Sequence, residues 1–432
     1  MTGTAHSLTE NKIWEIIILI IEFYDGLLEQ PETTIYCQGD WGPEGERTKV
    51  VQLGCGITGL VCAEQLERNP KVDELVLADA KTDAAEAMAA RIKSGKISTA
   101  KVNGTNPRDL RRLLKGKDIV VSSLPWQLNR QVLDTAIDLG IDYVDFCLPV
   151  ESMEDFEKVR SECRDAGMTA LTSTGEDPGI SDVFAVHGAS KLDVVEEAHV
   201  KDGDSGVAEG HDFFSLWSPI DLLEEVTVPA AVFKNGKMTY VPPLSHREIY
   251  DFPPPLGPLP VYQTNHEETY LMPRFIKGIK HADFQIAIDD NFAKTANMLR
   301  KMGLHSLKEV DVKGVKVRPL DVVVALLPRP VDLAGKVKGY ACIMVEVVGL
   351  KGRERTKVKT WTMMSHEKAY ELCGSNATGY LVGVGGAVAT EMLIAGEVRE
   401  KGLVVPEQLP PDKFISRLPS KGLVVKQEIV RM

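Results

Sequence analysis

No two of the seven cysteines are spaced as a CxxC pair, and no group of His, Cys and Asp has the spacing of metal ligands. A zinc site or any other bound metal is therefore not expected. The odd cysteine count also speaks against a disulfide framework and for free thiols in a reducing, cytoplasmic setting. A basic excess is missing too: 50 Lys+Arg face 62 Asp+Glu, for a net charge of -12. That argues against nucleic acid or an anionic membrane surface as the main partner. The apolar run over residues 13–24 carries Glu15 and Glu22, and it is shorter than the roughly 20 residues that span a bilayer. With only Lys12 immediately before it, neither a signal nor a transit peptide is expected. The run reads as a helix or strand packed on the body or on a partner subunit. Internal repeats and low-complexity tracts are also absent. What remains is a globular composition, 44% hydrophobic and 26% charged over 432 residues, long enough for two or three domains.

From Lys49 onward strand and helix alternate. Apolar runs at 50–53, 74–78, 100–102, 118–122, 143–147 and 169–174 are separated by helical stretches at 60–66, 83–92, 109–114, 129–139 and 153–166. Continuous rather than alternating apolar runs indicate a parallel sheet covered on both faces, which is a doubly wound α/β (Rossmann) fold. After Gly179 the pattern loosens. Residues 340–348 and 355–363 alternate as strands, with a hairpin turn expected at 349–352. This part reads as an α+β domain on a mixed open sheet. Residues 374–396 are rich in Gly and Ala at helical spacing, which suits a helix pressed closely on a neighbour.

The segment Gly54-Cys55-Gly56-Ile57-Thr58-Gly59 follows the first strand and opens the first helix. In that context a GxGxxG turn marks a dinucleotide site, with the pyrophosphate on the helix N-terminus. Asp79 ends the second strand, twenty residues after Gly59. An acid there can accept from the ribose 2′-OH and repel a 2′-phosphate, so NAD is favoured. The alternative is that Asp79 merely caps the next helix, while Lys81 nearby leaves NADP possible. Ser123, Leu124 and Pro125 follow the fourth strand, either near the nicotinamide-side ribose or as a plain strand-ending turn.

The turn GCGITG, the segment SSLP, the stretch YVDFC, the run Gly175-Glu176-Asp177-Pro178-Gly179-Ile180 and the Trp217 segment FSLWSP together resemble the saccharopine dehydrogenase-like family. The likeness covers roughly residues 49–432 and excludes 1–48. It implies an NAD-binding domain at 49–178, an inserted substrate and dimerisation domain at 179–372, and C-terminal helices at 373–432 returning to the nucleotide domain. It implies oxidation of a C–N bond in an amino acid, and the lysine 6-dehydrogenase branch looks nearest. The alternatives are a saccharopine reductase-type condensation of an amino acid with a carbonyl compound, or a dinucleotide-binding regulator without turnover. A homodimer is the expected assembly. The resemblance places Asp177 and Pro178 at the cleft between cofactor and substrate, adds Asp145 to the cofactor side, and gives Trp217 to the substrate.

His266, with Glu267 and Glu268 beside it, is the densest titratable group of the substrate domain. It suits a general base on the substrate amine, since imidazole changes charge near neutral pH. His211 is a second candidate on the substrate. Asp177 also reads as a helix N-cap with Pro178 at the first helical position. A substrate carboxylate calls for a cation, and Arg274 and Lys277 are nearest in sequence, with Arg247 competing.

Overall fold

The computed structural model describes residues 47–150 and 152–432. The apolar run at 13–24, Cys37 and nearly all of the unmatched extension lie outside the described residues. Six strands follow the expected order: β1 (Thr48–Leu53), β2 (Val72–Asp79), β3 (Ile97–Lys101), β4 (Ile119–Ser122), β5 (Asp142–Asp145) and β6 (Thr169–Leu171). A seventh, Gly402–Val404, comes from the far end of the chain and pairs in parallel with β6. The sheet runs Gly402–Val404, β6, β5, β4, β1, β2, β3. Its central strands are buried over most of their length, β4 completely, as a sheet covered on both faces requires.

The second sheet has nine strands and is mixed. β7 (Val194–Asp204) pairs in parallel with His281–Ala287 and antiparallel with Tyr340–Lys351. The expected hairpin is present, with longer arms and a different turn. Lys351 pairs with Glu354, so the loop is Gly352-Arg353 and the expected turn residues Gly349 to Lys351 belong to the strand. Gly349 is glycine for another reason: a Cβ there would lie 1.9 Å from the Val194 carbonyl oxygen.

The chain then returns through the helix Ala377–Ile394, which packs on the first helix, Ile57–Glu67. A Cβ on Gly383 would meet the Val61 Cβ at 2.6 Å, so the Gly/Ala composition sets the close approach. Among the described residues this is the helix long and apolar enough to cross a membrane, and 83% of it is buried inside the protein. The C-terminus is not purely helical. Lys426–Arg431 adds an edge strand to the second sheet against Glu354–Ser365. A continuous core joins Leu75 and Val121 of the first sheet, through Phe184 and Val384, to Phe284 and Val345 of the second.

Candidate active site

Parallel strands bring their C-terminal ends to one sheet edge, where ligands of such folds bind. The glycine turn lies there. Gly54 has φ 87° and Gly56 is the N-cap of the helix Ile57–Glu67, with no side chain capping it. The first-turn N–H groups are thus open to an oxyanion. A Cβ on Gly56 would meet nothing within 4 Å, whereas one on Gly59 would meet the Gly54 oxygen at 2.1 Å. The space is open where a pyrophosphate would approach and closed where the helix meets the strand, so the turn fits a dinucleotide. Asp79 accepts from the Cys55 N–H at 2.9 Å and the Lys81 N–H at 2.8 Å. It braces the turn and does not cap the next helix, whose N-cap is Lys81. Burial and the Asp79 charge push the Cys55 thiol up to about 12. The Ser123 hydroxyl is within hydrogen-bond reach of the Leu53 and Gly54 carbonyls and accepts from Gln52 Nε2, so it supports the turn from beneath. Leu124 is half-buried and Pro125 exposed.

Asp145 is not a surface group. It has no exposed area, and it accepts from Tyr143, from the Thr172 hydroxyl and from the Ser173 N–H. It ties the end of β5 to the segment after β6, with both oxygens engaged inside the protein. Ser173 holds φ 60° although it is not glycine, a conformation worth about 1 kcal/mol of strain that clusters at functional sites. Its hydroxyl donates to Glu267 Oε2 at 2.5 Å, and Glu267 also accepts from the Leu148 N–H at 2.9 Å. Glu267 therefore anchors the second domain's 264–268 segment to the strand ends of the first.

Glu268 points the other way. Its Oε2 meets His266 Nδ1 at 2.5 Å and its Oε1 accepts from Ser181 at 2.8 Å, with no exposed side-chain area. The His266 ring stacks on Phe284 with centroids 3.9 Å apart. One face and one nitrogen are thus fixed, while the side chain keeps 15% exposure and Nε2 has no hydrogen-bond partner among the described residues. Burial pulls the His266 pKa down, and the charges of Glu268, Glu225 and Glu267 more than offset that, leaving it at about 9. The ring therefore holds a proton at neutral pH, whereas the sequence led to the expectation of one that changes charge there.

Around His266 the chain gathers acids from distant segments. Glu225 accepts from Thr264 at 2.7 Å. Asp202 and Glu176 are 7% and 1% exposed, and Glu176 Oε1 has no hydrogen-bond partner. Asp177 is half-buried in the Gly175–Gly179 loop. It does not cap the following helix, whose N-cap is Gly179, its N–H bonded to Asp182 at 2.8 Å. Pro178 is buried and follows a cis peptide bond. Burial first, then neighbouring carboxylates, hold Glu176, Asp177 and Asp202 well above the usual range. Among the described residues none of these acids is ion-paired with lysine or arginine. Burying carboxyl groups without counter-charge is costly, and the cost has a consequence for stability. Burial pushes Glu267 up to about 7 and Glu407 up to about 8. Raised folded pKa values stabilise at low pH and lose that contribution as pH rises through them. The His266 shift has the same sign. The unfolding temperature of the ligand-free protein should therefore fall between about pH 5 and about pH 8, by on the order of 5 °C. A flat or rising profile in a calorimetric pH series would refute this.

Trp217 and His211 line a cavity of about 740 Å³ beside this cluster, which it shares through Asp204. Arg274 and Lys277 are not brought there. Arg274 pairs with Glu157 and lies over the rings of Phe156 and Phe275, and Lys277 is exposed. Arg247 pairs with Asp290 at 2.7 Å. Burial first, then Glu267 and other nearby carboxylates, pushes the half-buried Cys147 thiol well above its ordinary range. Sequence reasoning missed Glu268 as the histidine's partner, and also Asp182, Asp202, Glu225 and Glu407. The usable signal was paired acids two apart on one strand, as in the Lys201-Asp202-Gly203-Asp204 run.

Residues 50–171 match the family described as Saccharopine dehydrogenase NADP binding domain, and residues 175–423 match Saccharopine dehydrogenase C-terminal domain. The carboxyaminopropylagmatine dehydrogenase of Synechocystis sp. is 27% identical over 386 residues, covering 87% of this chain and 96% of its own. The carboxynorspermidine synthase of Vibrio cholerae is 29% identical over 397 residues, covering 87% and 95%. The solved structure of the L-Glu-forming saccharopine dehydrogenase of Saccharomyces cerevisiae superposes with a TM-score of 0.69 at 17% identity, over 89% of this chain and 100% of that one. That last likeness shows a shared fold. The chain belongs to the saccharopine dehydrogenase family and is an NAD(P)-binding oxidoreductase.

Proposed function

We propose that the chain joins a cationic, polyamine-type amine to a carbonyl compound that carries an amino-acid group, with reduction of the C–N bond. The observation that carries this is the cluster of acids around His266, whose carboxylates lack any lysine or arginine partner among the described residues and suit an amine bearing more than one positive charge. The relatives above are named for carboxylated polyamines, which moves the expected substrate from lysine itself to this class and the expected sense from deamination to condensation. The chemistry balances simply. The primary amine adds to the carbonyl, water leaves, and the resulting imine takes up a hydride and a proton to give a secondary amine. The nicotinamide cofactor supplies the hydride when bound. His266, protonated near neutral pH, donates from Nε2 to the departing hydroxyl, and Glu268 holds the imidazole in place and in charge. Asp177 and Asp202 hold the amine, Trp217 lies along its chain, and Glu267 keeps the two domains in register. We further propose that residues 49–178 hold the cofactor and that the enzyme acts as a dimer.

The test is NAD(P)H consumption with an amine and an amino-acid semialdehyde, separately and together, against lysine with oxidised cofactor. Consumption only with both partners supports the reading. Turnover of lysine alone, with none by the pair, refutes it. Asp79, which we propose faces the adenosine ribose, gives a second expectation. Asp79→Asn keeps an acceptor for Cys55 and removes the charge that repels a 2′-phosphate, so the NADP(H)/NAD(H) ratio of kcat/KM should rise about tenfold. An unchanged ratio would remove Asp79 from cofactor choice.

A further inference from the structure

The 740 Å³ cavity has an unusual wall. Asp204, Asp212 and Asp289 supply carboxylates and Phe214, Trp217 and Phe292 supply rings, and no lysine or arginine among the described residues lines it. The parts are built rather than incidental. Asp204 is fixed by the Thr378 hydroxyl at 3.1 Å and by His366 Nε2 at 3.2 Å. Phe292 is stacked on Phe213 with centroids 4.3 Å apart. Asp289 spends one oxygen capping the N–H groups of Asn291 and Phe292, and its other oxygen has no partner among the described residues. The cavity also leads toward the reacting centre. Asp202 and Asp204 stand two apart on β7, hence on one face and about 7 Å apart. Asp202 is a charge neighbour of His266, and Asp204 is a charge neighbour of Asp202. Beside both, Glu176 is 1% exposed with Oε1 unpartnered, an acceptor left open next to the same two carboxylates.

Resting on the proposed amine chemistry, we infer that this cavity is a subsite for the remote cationic end of the amine substrate, a guanidinium or ammonium group one alkyl chain away from the reacting nitrogen. Carboxylates and ring faces both attract such a cation, and Leu216, Leu222 and Ile286 of the same wall suit the methylenes between. The subsite selects diamines and guanidino-amines over monoamines of equal length.

The test compares agmatine, putrescine and butylamine as the amine on the enzyme with its cofactor and a fixed semialdehyde, in wild type and in Asp212→Asn/Asp289→Asn. Asparagine keeps the helix cap at position 289. Wild type should prefer agmatine and putrescine over butylamine at least tenfold in kcat/KM. The double variant should lose at least tenfold on agmatine through KM, with kcat and the butylamine rate unchanged. Equal use of butylamine and agmatine by wild type, or an equal loss on both in the variant, overturns the subsite and leaves the condensation reading standing. Absence of turnover with every amine overturns that reading instead. Calorimetric titration of agmatine onto the cofactor-bound enzyme then reads the cavity by itself: binding weakened tenfold in the variant supports the subsite, and unchanged or undetectable binding overturns it.

Discussion

Replacing His266 by Asn should lower kcat for condensation by two to four orders of magnitude while leaving cofactor affinity unchanged, because the ring touches Glu268 and Phe284 and not the glycine turn. The pH dependence separates a proton carrier from a merely structural histidine. With its pKa at about 9, His266 carries a proton through the neutral range. The condensation rate should hold below about pH 9 and fall above it, and the reverse oxidation, which needs the neutral ring, should rise through the same point. Glu268→Gln keeps an acceptor for Ser181 and removes the main charge holding His266 protonated. Both breaks should then move toward the ordinary histidine range near 6.5, so at pH 8 condensation slows and oxidation quickens. Rate profiles in both directions for the two variants decide the matter. A break that stays at its wild-type position in Glu268→Gln would remove the dyad from the mechanism.

His266 also shows how far the sequence could be read. Strands β1, β2, β4, β5 and β6 and the helices between them announce themselves, because a parallel sheet buried on both faces needs unbroken apolar runs. The edge strand β3, by contrast, has no buried residue and starts three residues before the run expected at 100–102. β4 is the clearest case: it reads Ile119-Val120-Val121-Ser122 and is wholly buried. The strand Gly402–Val404 is apolar but only three residues long, and the edge strand Lys426–Arg431 is polar, so neither stands out. Only pairing with β6 and with Glu354–Ser365 makes them strands. At the site, the run His266-Glu267-Glu268 was legible as a dense titratable group, but the division of labour between its two acids was not. Which one turns to the imidazole and which to Leu148 and Ser173 depends on how the helix Glu268–Phe275 meets the first domain. The same holds for Arg274, a reasonable carboxylate ligand by proximity that the fold turns toward Glu157. Asp182, Asp202, Glu225 and Glu407 come from four separate elements, so their meeting is a tertiary fact.

The glycine turn yields the other large effect, and there two replacements should fail in opposite ways. Gly56→Ala adds a Cβ that meets no protein atom within 4 Å, on an N-cap with φ -80°, a backbone angle any residue adopts. The unfolding temperature should stay within about 2 °C of wild type. The new methyl occupies the space through which the pyrophosphate must approach the helix N-terminus, so NAD(P)H affinity should fall about a hundredfold, read by fluorescence titration. Gly59→Ala places a Cβ 2.1 Å from the Gly54 carbonyl oxygen and 2.6 Å from the Ser123 hydroxyl. The first of these is backbone and cannot rotate away, so the helix must lift from β1. That overpacking should cost about 3 kcal/mol and lower the unfolding temperature by roughly 3–4 °C, with cofactor binding lost as a consequence of the displaced turn. Each outcome excludes a different error. If Gly56→Ala binds cofactor normally, the pyrophosphate does not lie on this turn, whatever the fold. If Gly59→Ala is as stable as wild type, the close contact of the first helix with β1 is not what holds the turn in shape.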